Sequence, residues 1–153
     1  MTMTKIIESL PYELSECTPE QAPWTTLVEE DFHIAIFKDG FPVSHGHLLF
    51  VPKYNTTAVL ADAVADAIAH GQRIVAEGNC DGYNIGINIG TAAGQTVAWP
   101  HVHVIPRRVG DVTDPRGGVR NVIPHLGNYK SDKIGDAYDE VNKWYSDFSD
   151  ARD

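Results

Sequence analysis

Apolar and polar positions along this chain change their period several times, and each change marks an element. Phe32-His33-Ile34-Ala35-Ile36-Phe37 is a mostly apolar run stopped by the turn pair Asp39-Gly40, which predicts a strand. His47-Leu48-Leu49-Phe50-Val51 predicts a second strand, closed by Pro52. From about Thr56 to Glu77, Leu60, Val64, Ala67, Ile68, Ile74 and Val75 fall at helical spacing, with Asp62 and Asp66 on the wet side and Gly78 just past the end. Tyr83–Ile89 alternates, with Tyr83, Ile85, Ile87 and Ile89 on the core face and Asn84, Gly86 and Asn88 on the other. His101-Val102-His103-Val104-Ile105 alternates as well, so His101 and His103 share a face, about 6.6 Å apart along the strand.

The remaining segments are less regular. Residues 1–31, with Pro11, Pro19 and Pro23, read as an irregular N-terminal arm. Gly90 to Pro100 is a flexible connection rich in hydrogen-bond donors, and Arg107–Pro124 is a Gly- and Arg-rich excursion over the surface. Residues 131–148 could form a terminal helix, since Ile134, Tyr138, Val141, Tyr145 and Phe148 are suitably spaced. No repeat or interdomain linker interrupts the chain, so residues 1–153 read as one domain, with a motif-bearing core at 32–124 and a C-terminal segment at 125–153.

Composition narrows the function classes. The chain has 153 residues, 42% apolar and 22% charged, and a formal charge of -9. That charge argues against a nucleic-acid scaffold or an anionic-membrane binder. The surplus is not uniform: residues 1–31 hold seven acids and one base, residues 130–153 seven acids and four bases, and the centre is neutral. A phosphate-rich ligand is therefore excluded at the ends and permitted in the middle. Cys17 and Cys80 are too few for a disulfide scaffold, and neither belongs to a Cys-x-x-Cys pair. No run reaches the roughly 20 apolar residues of a membrane span, and the N-terminus lacks a signal peptide's apolar core. A cytoplasmic protein is expected.

Four of the seven histidines form two His-x-His pairs, His45/His47 and His101/His103. Three readings compete. The rings could be hydrogen-bonded strand residues without chemistry. They could chelate a divalent ion, which needs a third ligand, yet the neighbours Gln95, Thr96 and Trp99 offer hydrogen bonds rather than ligation. Or one imidazole could be a nucleophile, neutral near pH 7, with one ring nitrogen free and the other held as a donor. A phosphorus electrophile would then need donors for its oxygens, which Gln95, Thr96, Asn88 and a second histidine can supply.

The string Gly94-Gln95-Thr96-Val97-Ala98-Trp99-Pro100-His101-Val102-His103-Val104-Ile105-Pro106-Arg107 resembles the signature of the histidine triad (HIT) nucleotide hydrolases and transferases. Asp39-Gly40-Phe41-Pro42-Val43-Ser44-His45-Gly46-His47 and the strand after it resemble the family's Pro-Val-x-x-Gly-His strand, and Asn84-Ile85-Gly86-Ile87-Asn88 also matches in order. The resemblance covers roughly residues 32–124. It departs at Trp99, which stands where the family has its first alternating histidine, so that two of the triad remain.

The resemblance implies an α+β fold with an antiparallel sheet of about five strands, a long helix packed on it and a C-terminal helix. It implies a homodimer joined across that sheet. His101 is the expected nucleophile, oriented by the main-chain carbonyl of Trp99; His103 donates to the phosphoryl group and His47 supports the site. Asn88, Gln95 and Thr96 are expected to hold the phosphates, Asp39 the ribose hydroxyls, and Phe37 to wall the base pocket. His45 and Arg107, Arg108, Arg116 and Arg120 are expected to be solvated loop groups. The function implied is hydrolysis of a dinucleoside polyphosphate such as diadenosine tetraphosphate, without metal or cofactor. A phosphoramidate hydrolase and a nucleotide-binding regulatory module with little turnover are the alternatives.

Overall fold

The computed structural model describes residues 10–131, 135 and 139–143. The chain divides into two units, Met1–Asp111 and Val112–Asp153. In the first, five strands form one antiparallel sheet: β1 (Leu27–Glu30), β2 (Ile34–Lys38), β3 (Leu48–Pro52), β4 (Gly82–Gly86) and β5 (Val102–Arg107). Their spatial order is β1-β2-β3-β5-β4, and helix α1 (Thr57–Ala76) joins β3 to β4. The architecture is α+β.

Alternation along the strands assigns a separate job to each face. Ile34, Phe50, Val102 and Val104 pack with Ala63 and Ala67 of α1, joined by Ile85 and Ile87. The opposite face carries Leu49, Val51 and Phe37 beneath Trp99 and the arm residues Leu10, Leu14, Cys17, Ala22 and Trp24. The sheet is thus covered on both sides, by the helix and by the arm.

Three sequence expectations shift. The arm is not wholly irregular: Leu14–Glu16 is a 3₁₀ turn and Leu27–Glu30 is β1, paired with β2. All four β1 residues are exposed, so no alternation could announce the strand. The strand expected from Phe32 begins at Ile34, because the Asp31 carboxylate accepts hydrogen bonds from the His33 and Ile34 amides and fixes a turn there. The strand expected to reach Ile89 ends at Gly86, although Ile87 still joins the core.

Helix α1 starts where Thr56 Oγ1 accepts from the Val59 amide, an N-cap that the sequence places within one residue. Its buried stripe is Ala63, Ala67, Gly71 and Ile74, and Ile68 stands 41% exposed. The stripe is made largely of small residues, which brings the helix axis close to the sheet. The expected C-terminal helix over 131–148 lies largely outside the described residues; 139–143 within it are helical. In the second unit, Gly118–Val122 is a 3₁₀ turn, Arg116 pairs with Asp114, and Arg120 donates to the Gly127 carbonyl. Among the described residues, no helix is long and apolar enough to cross a membrane.

Gly71 tests the close approach of helix and sheet, because a Cβ there would fall against the Tyr83 ring. Gly71→Ala gains about 1 kcal/mol of helix propensity, yet overpacking costs about 1–3 kcal/mol. Chemical denaturation should therefore show a net loss of about 1 kcal/mol, reversed to a gain in a Tyr83→Ala background. Equal effects in both backgrounds would show that Tyr83 is not the obstacle.

Candidate active site

The strand register brings the histidines together. Leu49 pairs with His103 and Phe37 with Leu49, so these residues share the arm-side face of the sheet. Two-residue steps then add His47 on the β3 side and His101 on the β5 side to that face. The His101 and His103 rings lie 5.0 Å apart, and the His47 and His103 rings 5.2 Å apart.

The orientation of His101 begins with Trp99. That indole is fully buried; its Nε1 donates to the Pro52 carbonyl at 2.8 Å, and its amide donates to the Gln21 carbonyl at 3.1 Å. Its own carbonyl is thereby fixed, and it lies 2.8 Å from His101 Nδ1. A carbonyl only accepts, so the ring hydrogen of neutral His101 sits on Nδ1 and Nε2 keeps its lone pair. Burial pulls the His101 pKa below the ordinary histidine value, opposed by the Trp99 carbonyl and the Asp39 charge. The ring is therefore neutral near pH 7.

A second chain of hydrogen bonds fixes His47 and His103. The Val43 amide donates to His47 Nδ1 at 3.2 Å, so the His47 hydrogen is on Nε2. That nitrogen faces His103 Nδ1 at 3.0 Å and Asp39 Oδ2 at 3.3 Å. His103 Nδ1 accepts, which leaves the His103 hydrogen on Nε2 as a donor. Burial, and then the neighbouring His101 and His47, push the His103 pKa down to about 4, while Asp39 opposes them. Burial also lowers the His47 pKa, against the Asp39 charge. Asp39 Oδ1 accepts from the Phe41 amide at 2.7 Å, which holds the carboxylate in place.

Asp39, His47 and His103 also place one potential ligand atom each within 4.8 Å of one another. The proton inventory decides against reading them as a ligand set. With Nδ1 of His47 occupied by an amide, Nε2 presents hydrogen rather than a lone pair, and a metal needs the lone pair.

Beside the imidazoles opens a cavity of about 340 Å³, lined by His101, His103, Asp39, Asn88, Thr96, Phe41 and Trp24 among others. Its volume falls within the range of small-molecule sites. Asn88 and Thr96 therefore stand where expected. Gln95 does not: it is buried away from this cavity, its Oε1 accepting from the Gly90 amide and its Nε2 donating to the Val97 and Ala98 carbonyls. Its amide is spent on fastening the loop, whose turn uses Gly94 at φ 87°. Phe37 does not line the cavity either; Trp24 stands in front of it, 6.0 Å away, and forms the wall. Trp24 was hidden in the arm, where the sole signal was one aromatic after Pro23 in a polar stretch. His45 is exposed, as expected. Arg107 is held by Asp111 and Asn84, and Arg108 by the carbonyls of His45 and Asn79.

Comparison with known proteins agrees with this geometry. The HIT domain model matches residues 21–110. An uncharacterised HIT-like protein of Mycobacterium tuberculosis is 40% identical over 98 residues, covering 60% of this chain and 67% of the relative. The AP-4-A phosphorylase of that organism is 36% identical over 97 residues, 56% of this chain and 49% of its own length. The adenosine 5′-monophosphoramidase of Saccharomyces cerevisiae is 32% identical over 91 residues, 58% of this chain and 57% of its own. A HIT-like protein from Bartonella henselae shares the fold at a TM-score of 0.51 and 24% identity, over 70% of this chain and 77% of that one. The match begins inside the arm that carries Trp24 and ends past both histidine strands, and the chain belongs to the HIT domain family of nucleotide hydrolases and transferases.

Proposed function

We propose that this protein hydrolyses dinucleoside polyphosphates at the α-phosphorus through a nucleotidyl-histidine intermediate on His101. The observation that carries the reading is the bond from His101 Nδ1 to the Trp99 carbonyl, which leaves a neutral Nε2 lone pair on a ring lining the cavity. Nε2 attacks phosphorus, and the P–O bond to the leaving phosphate breaks with its electron pair going to oxygen. The imidazole becomes cationic as the P–N bond forms, and the Trp99 carbonyl stabilises the Nδ1–H that then carries more positive charge. Water attacks in the second step, loses a proton to solvent, and returns the electron pair to Nε2.

The other groups take roles around this step. His103 Nε2–H donates to a non-bridging oxygen, and Asn88 and Thr96 hold the phosphates. Gln95 acts through the loop that it fastens. Asp39 orders His47 and accepts from the ribose. Trp99 stands in the place of the family's first alternating histidine and supplies the carbonyl that orients the nucleophile, with its anchoring indole in place of an imidazole. The similarity to an AP-4-A phosphorylase supports the polyphosphate substrate. A phosphoramidate is the second reading, favoured by the similarity to an adenosine 5′-monophosphoramidase. Assembly as a homodimer through the sheet, and a cytoplasmic location, belong to the same reading.

A panel of diadenosine tri- and tetraphosphate, adenosine phosphoramidate and a mononucleotide, with products identified, tests the substrate. Diadenosine tetraphosphate should turn over fastest; turnover of the phosphoramidate alone would transfer the assignment to the second reading. An acid-labile nucleotidylated protein should form on brief mixing and be absent in His101→Ala, with kcat falling at least about a thousandfold. Hydrolysis should be indifferent to a chelator, and a rate restored by added zinc or manganese would sink the mechanism.

The pH profile follows from the three depressed histidines. A neutral nucleophile is lost on protonation, and its pKa lies below the ordinary 6.5. The acid limb of kcat/KM should therefore fall below pH 6.5, with a plateau from about 7 to 8. A limb centred above pH 7 would contradict the assignment of His101.

A further inference from the structure

We infer that the turn between β1 and β2 carries an interaction surface for a basic, arginine-bearing segment of a partner protein. Two adjoining features make the surface. One is a string of rings on the outside of the molecule: Tyr12 and Tyr54 lie 5.5 Å apart, and Phe32 lies 6.2 Å from Tyr54 and 5.1 Å from His33. Phe32 is 76% exposed and Tyr12 60%. The other is a second cavity, of about 290 Å³, floored by Ile34, Ile36 and Phe50 and walled by Glu29, Asp31 and Asp66 among others. Asp31 joins the two, since it lines this cavity and its carboxylate accepts from the His33 amide. None of these residues lines the catalytic cavity.

Charge selects the occupant. Residues 10–33 hold six carboxylates and no lysine or arginine. The cations nearby are already matched, Lys53 by Glu30 at 2.6 Å and Arg73 by Glu77 at 3.3 Å. Glu29, Asp31 and Asp66 form no salt bridge among the described residues. Burial, and then the Asp31 and Asp62 charges, raise the Asp66 pKa, a repulsion that an added cation relieves. Exposed aromatic faces also suit nucleobases and membrane interfaces, but nucleic acid and anionic lipid bring phosphates that this acidic rim repels. A guanidinium satisfies both halves of the surface. It stacks on an aromatic face, and its methylene stem lies along an apolar floor while its head pairs with carboxylates. A segment with two nearby arginines engages the rings and the cavity together.

Calorimetry on the full chain tests this with three capped peptides, carrying two arginines, two lysines or two glutamates separated by one glycine. The arginine peptide should bind, the lysine peptide about threefold more weakly, and the glutamate peptide not at all. Tyr12→Ser combined with Phe32→Ser changes no charge; at about two- to fivefold per ring it should weaken the arginine peptide about tenfold. Asp66→Asn combined with Glu29→Gln should weaken it about threefold and flatten its salt dependence. The replaced side chains are exposed, so both variants should melt within about 2 °C of the wild type. Unchanged affinity in the Tyr12→Ser, Phe32→Ser variant would reduce the binding to general charge attraction and overturn the inference, as would failure of the arginine peptide to bind. Self-association of the wild type that this variant abolishes would make a second copy the occupant, and binding to phosphatidylserine vesicles would make it a membrane; either result overturns the inference.

Discussion

One hydrogen bond organises the site: the Trp99 carbonyl accepting from His101 Nδ1. A histidine nucleophile is useful only in one tautomer, and a main-chain acceptor enforces that tautomer irrespective of the side chain attached to it. The carbonyl has to be rigid for this to work, and rigidity here comes from burial. The Trp99 indole fills the space above Leu49 and Val51 and is tied to Pro52 on the neighbouring strand. A residue that contributes no catalytic side chain is accordingly among the most deeply buried in the chain.

The layered fold supplies what that bond needs. Helix α1 covers one face of the sheet with an apolar interface and leaves the other face to the chemistry. On that second face Trp24 of the arm packs on the His101 ring, and burial lowers the pKa of all three imidazoles, which favours their neutral forms. Asp39 opposes the shift in each case and falls short of reversing it. The site thus combines neutral imidazoles with a single carboxylate, that of Asp39, consistent with the absence of net positive charge in the chain's centre.

How much of this was legible in the sequence depends on the kind of signal. Strand alternation placed Ile85 opposite Asn84 and put His101 and His103 on one face, because a period of two needs no tertiary information. The Thr56 cap and Gly78 bounded the helix for the same local reason. Three things needed the third dimension. Gln95 has the chemistry of a phosphate donor, and only the fold shows its amide already used by Gly90, Val97 and Ala98. Phe37 points to the right face, but Trp24 from a distant segment covers it. β1 pairs by backbone alone, so its exposed side chains carried no pattern to read.

The pairing of Leu49 with His103 has a consequence for quality control. Because side chains alternate, sliding β5 by a single position would turn both imidazoles into the helix layer and bring Val102 and Val104 out to the ligand. Such a misfolded chain would retain its sheet, and spectroscopy of secondary structure would not distinguish it. The proposed chemistry would be lost with that displacement. Under the proposed function, turnover would also be a read-out of strand alignment, sensitive to an error of about 3.3 Å along one strand.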